Sequence, residues 1–320
     1  MRKYIIRRLL IMIPIMFGLS IILFALINSM PGNPYQHMIN PKIRPEDKER
    51  MLKAIGYYDP LPVKYVKWVG RAIKGDLGYS IRYKVPVTDV IGRRIGNTFI
   101  LSLAALLLST IIAVPIGVIS ATKQYSIFDY IVTILAFIGI SIPAFFLALL
   151  LIKFLAFDLG LFPISGIRTA GAHYTGLRAF LDLLHHMALP LIVLTLLEIA
   201  STMRYTRSSM LEVIRQDYIR TARAKGLNEK VVIYKHALRN ALIPVVTILS
   251  LSLGFILSGA ILTETVFAWP GMGTLMYQGV LNRDYPLIMA SNMLIALCVL
   301  IANLFADIVY AFIDPRIRYS

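Results

Sequence analysis

The chain has 320 residues, of which 58% are hydrophobic, and its formal net charge at pH 7 is +16. Soluble domains are nearer half apolar, so this excess indicates a membrane protein; long uncharged apolar runs argue against a nucleic-acid-binding protein despite the positive charge. The one cysteine, Cys298, excludes a disulfide framework or a cysteine-based metal site within one chain.

Six apolar segments are each long enough to cross the hydrocarbon core of a bilayer, which takes about 20 residues in a helix. Five contain no charged residue, and the fourth contains only Glu198. We therefore predict an all-α membrane protein with six transmembrane helices. The length of the first apolar run argues against a cleaved signal peptide. The predicted spans are residues 9–29, 95–122, 130–152, 187–203, 240–263 and 285–306.

Basic residues orient the chain, because short cytoplasmic loops carry the excess of Lys and Arg. If both termini are cytoplasmic, the inner segments hold sixteen basic residues, nine of them between Arg204 and Arg239. The short outer loops then hold three, Arg168, Arg178 and Arg283, apart from Lys153 at the boundary. The other outer segment, residues 30–94, is also basic, but long loops translocate largely regardless of charge. We expect both the N-terminus and the C-terminus to lie inside.

Residues 30–94 are expected to form a small cap outside the membrane with two short helices. The first begins at Pro45, since proline is favoured in a first turn, and ends before Gly56. The second lies within "PVKYVKWVGRAIKG". Two roles remain open for the cap: a structural lid, or a docking surface for an external protein. The apolar residues expected on one face of the second helix are Val63, Val66, Val69 and Ile73.

The segment 204–239 combines a helical pattern with the densest charge in the chain. We expect its first helix to end at Gly226, which suits a left-handed stop, and Asn228 to cap a second short helix. Arg220 should lie opposite the apolar stripe of the first helix, with Arg223 to the side. The residues expected on that stripe are Leu211, Ile214, Tyr218 and Ala222.

Two interpretations of the segment 204–239 remain open. A basic amphipathic helix can lie on anionic lipid. A pair of helices broken by a glycine and held between two spans instead favours docking into the cleft of a partner protein. The next span should begin shortly before Pro244, so that this proline lies in its first turn, where the missing N–H costs least.

The motifs of several catalytic chemistries are absent from the sequence. It contains no G-x-x-x-x-G-K-[ST] phosphate loop, no G-x-S-x-G elbow and no H-E-x-x-H zinc motif. His185 and His186 are adjacent, so in a helix they point about 100° apart and could not share a metal. The chain is therefore predicted not to be an enzyme, and any ATP-driven work must come from another chain.

Ionisable residues within spans are functional candidates. Glu198 is the candidate for the substrate path, with an ion pair to a residue such as Arg204 as the structural alternative. Asp307 lies toward the inner end of the sixth span, where packing alone would account for it. Lys153 and Glu264 are expected near the outer boundary, where long side chains reach toward water. None of these residues forms the carboxylate pair typical of an ion-coupled carrier.

Small residues and prolines also occur within the predicted spans. Glycines permit close helix crossings, and prolines can kink a helix. Both features are common in membrane bundles, so they predict packing more than function. The residues are Pro115, Gly117, Gly139, Pro143, Gly254 and Gly259.

Ordered motifs cover nearly the whole chain. They begin with "YIIRRLLIMIPIMFGLSIILFALINSMPGNP", in which Asn33 stands where an acidic residue is usual, and continue through "PVTDVIGRRIGNTFILSLAA" and "SIPAFFLALLLI". The later ones are "MRYTRSSMLEVIRQDYIRTARAKGL", "ETVFAWPGMG", "RDYP" and "DPRIRY". Together they resemble the first membrane subunit of bacterial dipeptide, oligopeptide and nickel ABC importers.

The resemblance implies the fold of a type I ABC importer transmembrane domain. Residues 1–29 would form a cytoplasmic N-terminus and a peripheral first span, residues 30–94 the cap, and residues 95–320 a five-helix core. The implied location is the bacterial plasma (inner) membrane. The implied partners are a second, similar permease chain, two ABC ATPase subunits that hold ATP and Mg, an extracytoplasmic solute-binding protein and membrane lipid. No cofactor is implied in this chain and no nucleic acid as a partner.

The resemblance also implies a role for "DYIRTARAKGL". In the family's "EAA…G" motif, a cytoplasmic coupling helix inserts into a groove on the ATPase. Arg220 stands at the place of the motif's Glu, Thr221 and Ala222 at its alanines, and Gly226 at its glycine. The implied coupling residues are Tyr218, Arg220, Thr221, Ala222, Arg223, Lys225, Gly226 and Leu227.

The implied function is ATP-driven import of peptides through a cavity that two permeases share and that opens to each side of the membrane in turn. Oligosaccharides and nickel chelates are alternative cargoes for the same machine. An ion-coupled secondary carrier is the alternative mechanism, but it predicts paired intramembrane ions and an internal repeat, and neither is evident in the sequence. A membrane-embedded enzyme would need a catalytic pair, and an anchored receptor would not need the coupling segment.

Overall fold

The computed structural model of the chain describes residues 2–30, 44–54 and 56–313. Asn33 and the terminal "DPRIRY" motif lie outside these residues. Within them the regular secondary structure is helical, apart from an isolated β-bridge between Tyr79 and Pro86. The α-helices are α1 (Arg2–Asn28), α2 (Pro45–Ala54), α3 (Leu61–Ala72), α4 (Val87–Thr122), α5 (Ile127–Ser141), α6 (Ala144–Leu151), α7 (Gly176–Ile214), α8 (Asp217–Ala224), α9 (Glu229–Val231), α10 (Leu238–Phe255), α11 (Ile261–Val266), α12 (Met272–Leu281) and α13 (Tyr285–Ile313).

Five helical runs in the described residues are long and apolar enough to cross a membrane. The predicted span 130–152 is not among them as one straight helix, because the chain bends by 101° between α5 and α6. Ile142 and Pro143 have extended backbones at this bend. Proline has no N–H to continue a helix and pushes the residue before it out of the α region. If the bent pair counts as one span, the total is the predicted six.

The fifth span begins earlier than predicted. A three-residue turn, α9, and a wider π-helical turn, Val232–Ala237, precede α10 without a break. Pro244 therefore lies inside α10, and its predicted place in the first turn is wrong. A second π-helical turn, Ile152–Asp158, follows α6.

Glycines allow the main helices to approach closely, as the sequence predicts. A Cβ at Gly117 of α4 would lie 2.7 Å from the Cβ of Thr206 and 2.8 Å from the carbonyl oxygen of Met203, both on α7. A Cβ at Gly254 of α10 would lie 3.0 Å from the Cβ of Ala302 on α13. Only a hydrogen atom fits at such distances, so glycine sets the separation of these helix pairs.

The cap contains the two predicted helices, and the second packs on α1 through its aromatic side chains. Three residues of the aliphatic stripe, Val63, Val66 and Ile73, are exposed, and Ile73 is 81% exposed. The packed side is aromatic: the rings of Tyr65 and Phe24 lie 5.3 Å apart, and the Tyr65 hydroxyl is 2.7 Å from the Ser20 hydroxyl. Trp68 contacts the same region of α1. Aromatic rings bury more surface per residue than valine, which favours this face.

Glu264 is fully buried, so the prediction that its side chain reaches toward water is wrong. Its carboxylate accepts hydrogen bonds from the Thr98 hydroxyl at 2.7 Å and from the Thr274 backbone N–H at 3.0 Å. A Cβ at Gly271 or Gly273 would collide with this carboxylate, at 2.5 and 2.9 Å. The "WPGMG" glycines thus leave room for a buried acid that joins α4, α11 and α12. Such a group must be hydrogen-bonded to be tolerated inside a protein.

Two further acids join distant parts of the chain. Asp284, also fully buried, accepts hydrogen bonds from the Ser80 hydroxyl and the Arg82 backbone N–H, which fixes the segment before α4 to the start of α13. Asp307 pairs with Arg8 at 2.9 Å and so joins α13 to α1. Lys153 pairs locally with Asp158 at 2.5 Å.

The close contact of α4 and α7 predicts opposite effects for the same substitution at two glycines of α4. Gly117→Ala should lower the stability of the purified chain by about 1–3 kcal/mol, because the methyl group overpacks the crossing. Gly96→Ala is the matched control, because a Cβ there meets nothing within 4 Å. It should be neutral or stabilising by up to about 1 kcal/mol, since alanine is the better helix former. Thermal unfolding in detergent measures both, and equal midpoints would contradict this account of the crossing.

Candidate functional site

The segment after α7 contains a helix break that the sequence analysis missed. α7 ends at Ile214, and Gln216 has an extended backbone with a ψ of 149° before α8 begins. The break changes which side of α8 faces the protein. Ile219 is fully buried, whereas Tyr218, predicted on the apolar stripe, is 45% exposed.

α8 rests on an apolar seat formed by three other elements. Its buried residues, Ile219 and Ala222, belong to one cluster with the ends of α4 and α7 and the start of the fifth span. Burying an isoleucine contributes about 1.5–3 kcal/mol, so this contact holds a short helix that would be unstable alone. The other buried members of the cluster are Val118, Ala121, Met210, Val232, Ile233, Ala237 and Ala241.

The turn after α8 is the predicted helix–turn–helix. Gly226 has a φ of +75°, the left-handed conformation that suits a residue without a Cβ. The backbone N–H of Leu227 reaches back to the carbonyl of Ala222 at 3.4 Å, and that of Gly226 to Arg223 at 2.9 Å. The Asn228 side chain then accepts a hydrogen bond from the Lys230 N–H at 3.0 Å and caps α9.

The side chains of two predicted coupling residues contact parts of the chain outside α8. Ala222 is buried in the seat. Arg223 forms two hydrogen bonds with Glu229, at 2.7 and 3.1 Å, across the turn. The hydrogen bonds with Glu229 raise the pKa of Arg223 above its ordinary value. Because the pair is largely exposed, it adds little to stability. It does direct the Arg223 side chain toward α9.

The other predicted coupling residues are exposed, together with two that the sequence analysis missed. Val231 and Tyr234 follow the turn, and Tyr234 is 58% exposed. The sequence could have pointed to these two residues, because they are apolar in an otherwise charged segment. Exposed aromatic side chains are enriched at protein interfaces. We call this set the α8 surface: Tyr218, Arg220, Thr221, Lys225, Leu227, Val231 and Tyr234.

A partly buried ion pair joins α7 to the start of α5. The Arg207 guanidinium donates two hydrogen bonds to Asp129, at 2.7 and 2.9 Å. The Asp129 carboxylate also accepts from the Ser120 hydroxyl and from the Tyr125 N–H at 3.0 Å. It is 3% exposed. This pair, absent from the sequence analysis, fixes α7 two turns before the α8 break.

A cavity of about 450 Å³ lies between α4, α7 and α10, and Glu198 is the one charged residue among the described residues that line it. The expected ion pair of Glu198 with Arg204 is absent. Within the described part of the chain, Glu198 has no hydrogen bond or ion pair. The Arg204 guanidinium instead lies 6.0 Å from the ring centre of Tyr205.

No group of three or more metal-ligating side chains occurs among the described residues. The adjacent histidines bind backbone carbonyls separately. His185 Nε2 lies 2.9 Å from the oxygen of Leu161, and His186 Nδ1 lies 2.8 Å from that of Asp182.

Comparison with known proteins adds family and fold. Two family models match: "Binding-protein-dependent transport system inner membrane component" over residues 113–319, and its N-terminal counterpart over residues 1–104. The chain is 44% identical over 320 residues to the oligopeptide transport system permease protein AppB of Bacillus subtilis (strain 168). It is 38% identical over 339 residues to the dipeptide transport system permease protein DppB of Escherichia coli (strain K12). Both alignments cover all of both chains.

Among solved structures, the chain is similar to the MetNI methionine ABC transporter in inward-facing conformations. The TM-score is 0.54 and the identity 19%, over 70% of this chain and 96% of that one. At this identity the likeness shows the fold. It confirms the predicted class, the all-α transmembrane domain of a type I ABC importer.

The Arg207–Asp129 pair predicts a loss that a second substitution partly restores. Arg207→Met should lower stability by about 2–4 kcal/mol, because it leaves the Asp129 carboxylate buried without its cation. Adding Asp129→Asn removes that unpaired charge and should recover part of the loss. The thermal midpoints of both variants in detergent measure this. A double variant no more stable than Arg207→Met would show that the charge is not what matters.

Proposed function

The chain belongs to the family of binding-protein-dependent transport system inner membrane components, and we propose that within this family it conducts peptides through the membrane. The observation that carries the proposal is the full-length identity of 44% and 38% to permeases named for oligopeptide and dipeptide transport. The chain is a transport subunit and not an enzyme. Its own residues form the path through the membrane and transmit the movement that opens this path. ATP hydrolysis takes place on separate subunits.

The α8 surface is proposed to dock into a groove on an ATPase subunit. Its setting supports this role, since α8 is short, seated on three other elements and fixed by the left-handed turn at Gly226. A rigid, partly aromatic projection on a basic segment suits insertion into a partner better than lying on lipid. In this role Ile219 and Ala222 seat the helix and the α8 surface makes the contacts.

The same contacts supply a route from the ATPase to the membrane helices. When ATP draws the two ATPase subunits together, α8 moves with one of them. The apolar seat passes this movement to α4, α7 and the fifth span, and the Arg207–Asp129 pair keeps α7 and the start of α5 together. The shared cavity then opens to the other side of the membrane, and hydrolysis restores the first state. ATP and Mg act on the ATPase subunits.

The remaining proposals concern surroundings and orientation. We place both termini in the cytoplasm and the cap, residues 30–94, outside, where an extracytoplasmic solute-binding protein would deliver cargo. Residues 1–29 would provide a peripheral first span and residues 95–320 the transport core. A second permease chain, with lipid, would cover the apolar side chains that α5 and α10 expose, among them Phe137 and Phe255.

Copurification tests the docking proposal. Tyr218→Ala with Arg220→Glu should reduce the ATPase retained by the tagged permease at least severalfold, since both side chains lie on the α8 surface. Tyr174→Ala with Arg178→Glu is the matched control, because it makes the same chemical change on the segment predicted to be outside. If the α8 variant retains as much ATPase as the control, the docking surface lies elsewhere.

Gly226 gives a second test, because its φ of +75° distinguishes two substitutions. Gly226→Asn should keep transport, since asparagine tolerates the left-handed conformation. Gly226→Pro should abolish peptide uptake and transport-coupled ATPase activity, since proline fixes φ near −65°. Uptake and ATPase assays on the assembled importer in proteoliposomes measure both. Intact coupling in the proline variant would exclude a rigid turn as part of the mechanism.

A further inference from the structure

We propose that the cavity beside Glu198 binds the ammonium group of a cargo peptide, so that this chain itself selects for cationic cargo. The inference rests on the proposed function and deepens it, since it assigns a chemical preference and a residue to the path. The group recognised is a primary ammonium, which a peptide carries at its amino terminus and on any lysine side chain.

The cavity has the form of a ligand site. Its volume of about 450 Å³ falls within the range of about 300–1,000 Å³ usual for small-molecule pockets. The walls are mostly aliphatic, with Ser102 and Ser252 as neutral polar groups and Glu198 as the charged one. A mainly apolar pocket with few polar groups fixes the orientation of a ligand through those groups.

Glu198 differs from the buried carboxylates of the described chain in having no partner. Asp129, Glu264 and Asp284 each accept at least two hydrogen bonds from other segments. Glu198 is half-buried and accepts none. An acid in an apolar surrounding needs a cation or hydrogen-bond donors, and such residues inside membrane domains mark substrate or ion paths. Its partner is therefore expected to come from outside the chain.

The position of Glu198 along the cavity suits a path through the core. Gly259 and Ala260 line the end of the cavity next to α11, and Glu198 and Ile248 lie at the opposite end, toward α8. On the α10 wall, Leu251 is 42% exposed and Phe255 is exposed further, so this side is not closed by the chain itself. A peptide in the cavity could thus place an ammonium at Glu198 and apolar side chains along the aliphatic wall.

The test compares two cargoes of equal length in the assembled importer. Proteoliposomes holding the full complex take up the tripeptide Ala-Lys-Ala or its acetyl-lysine counterpart, each at a concentration that saturates the binding protein. Wild type should favour the free-lysine peptide by about three- to tenfold, in line with one partly buried charge pair. Glu198→Gln should reduce the ratio to near one. Repeating the series with amino-terminally acetylated peptides shows which ammonium is recognised.

A second variant keeps the inference testable if the Glu198→Gln chain fails to assemble. Leu194 also lines the cavity one turn before Glu198, so Leu194→Lys would place a cation beside the carboxylate and should also remove the preference. Leu196→Ala, on the same helix and outside the cavity lining, is the control and should keep it.

The outcomes separate this inference from the proposed function. If Glu198 has only a structural role, Glu198→Gln lowers uptake of both peptides equally and the ratio stays as in wild type, which would overturn the inference. Equal wild-type uptake of the free and acetylated peptides, at the lysine and at the amino terminus alike, would overturn it too, while peptide transport itself stands. If wild type takes up none of the peptides although the binding protein binds them, the proposed peptide function fails.

Discussion

The close contact of α4 and α7 at Gly117 is the constraint on which the rest of the core depends. Both helices carry residues of the cavity on one side of this crossing and residues of the α8 seat on the other. Glycine at the crossing places two long helices near the minimum separation. Beside the crossing, Arg207 of α7 pairs with Asp129 and also donates a hydrogen bond to Ser120 of α4. The cavity and the seat are thus two ends of one rigid pair of helices, and neither can be displaced without the other.

Buried acids serve as joints between segments that are remote in sequence. Asp129, Glu264 and Asp284 each lie where two or more helices or loops meet, and each accepts a hydrogen bond from a segment remote in sequence. Removing water from a carboxylate is costly, so such a joint forms only when all its donors are in place. This makes the joints specific: they tolerate one arrangement of the chain. Glu198, without donors, forms no joint.

Hydropathy and the conformational preferences of single residues predicted the helices and turns well. They could not predict which side chains pair across segments that are remote in sequence. Hydropathy found the spans, and the conformational preferences of Gly226 and Asn228 gave the helix–turn–helix. The partners of Asp129 and Glu264 come from segments whose proximity no periodicity encodes. The side of α8 that faces inward was predicted wrongly for a related reason. Gln216, two residues after Ile214, leaves the helical region and so changes which side of α8 packs on the protein. The cavity beside Glu198 likewise needs three helices in place before it exists.

The ion pair of Arg8 with Asp307 affects the order in which the helices reach their final positions. α1 packs mainly on α13 and α3, so most of its contacts await the last helix of the described chain. At about 5–20 residues per second, synthesis of the intervening residues takes roughly 15–60 s. During that interval the first helix is in the bilayer without its principal neighbour. The helix that enters the membrane first is therefore among the last to reach its final position.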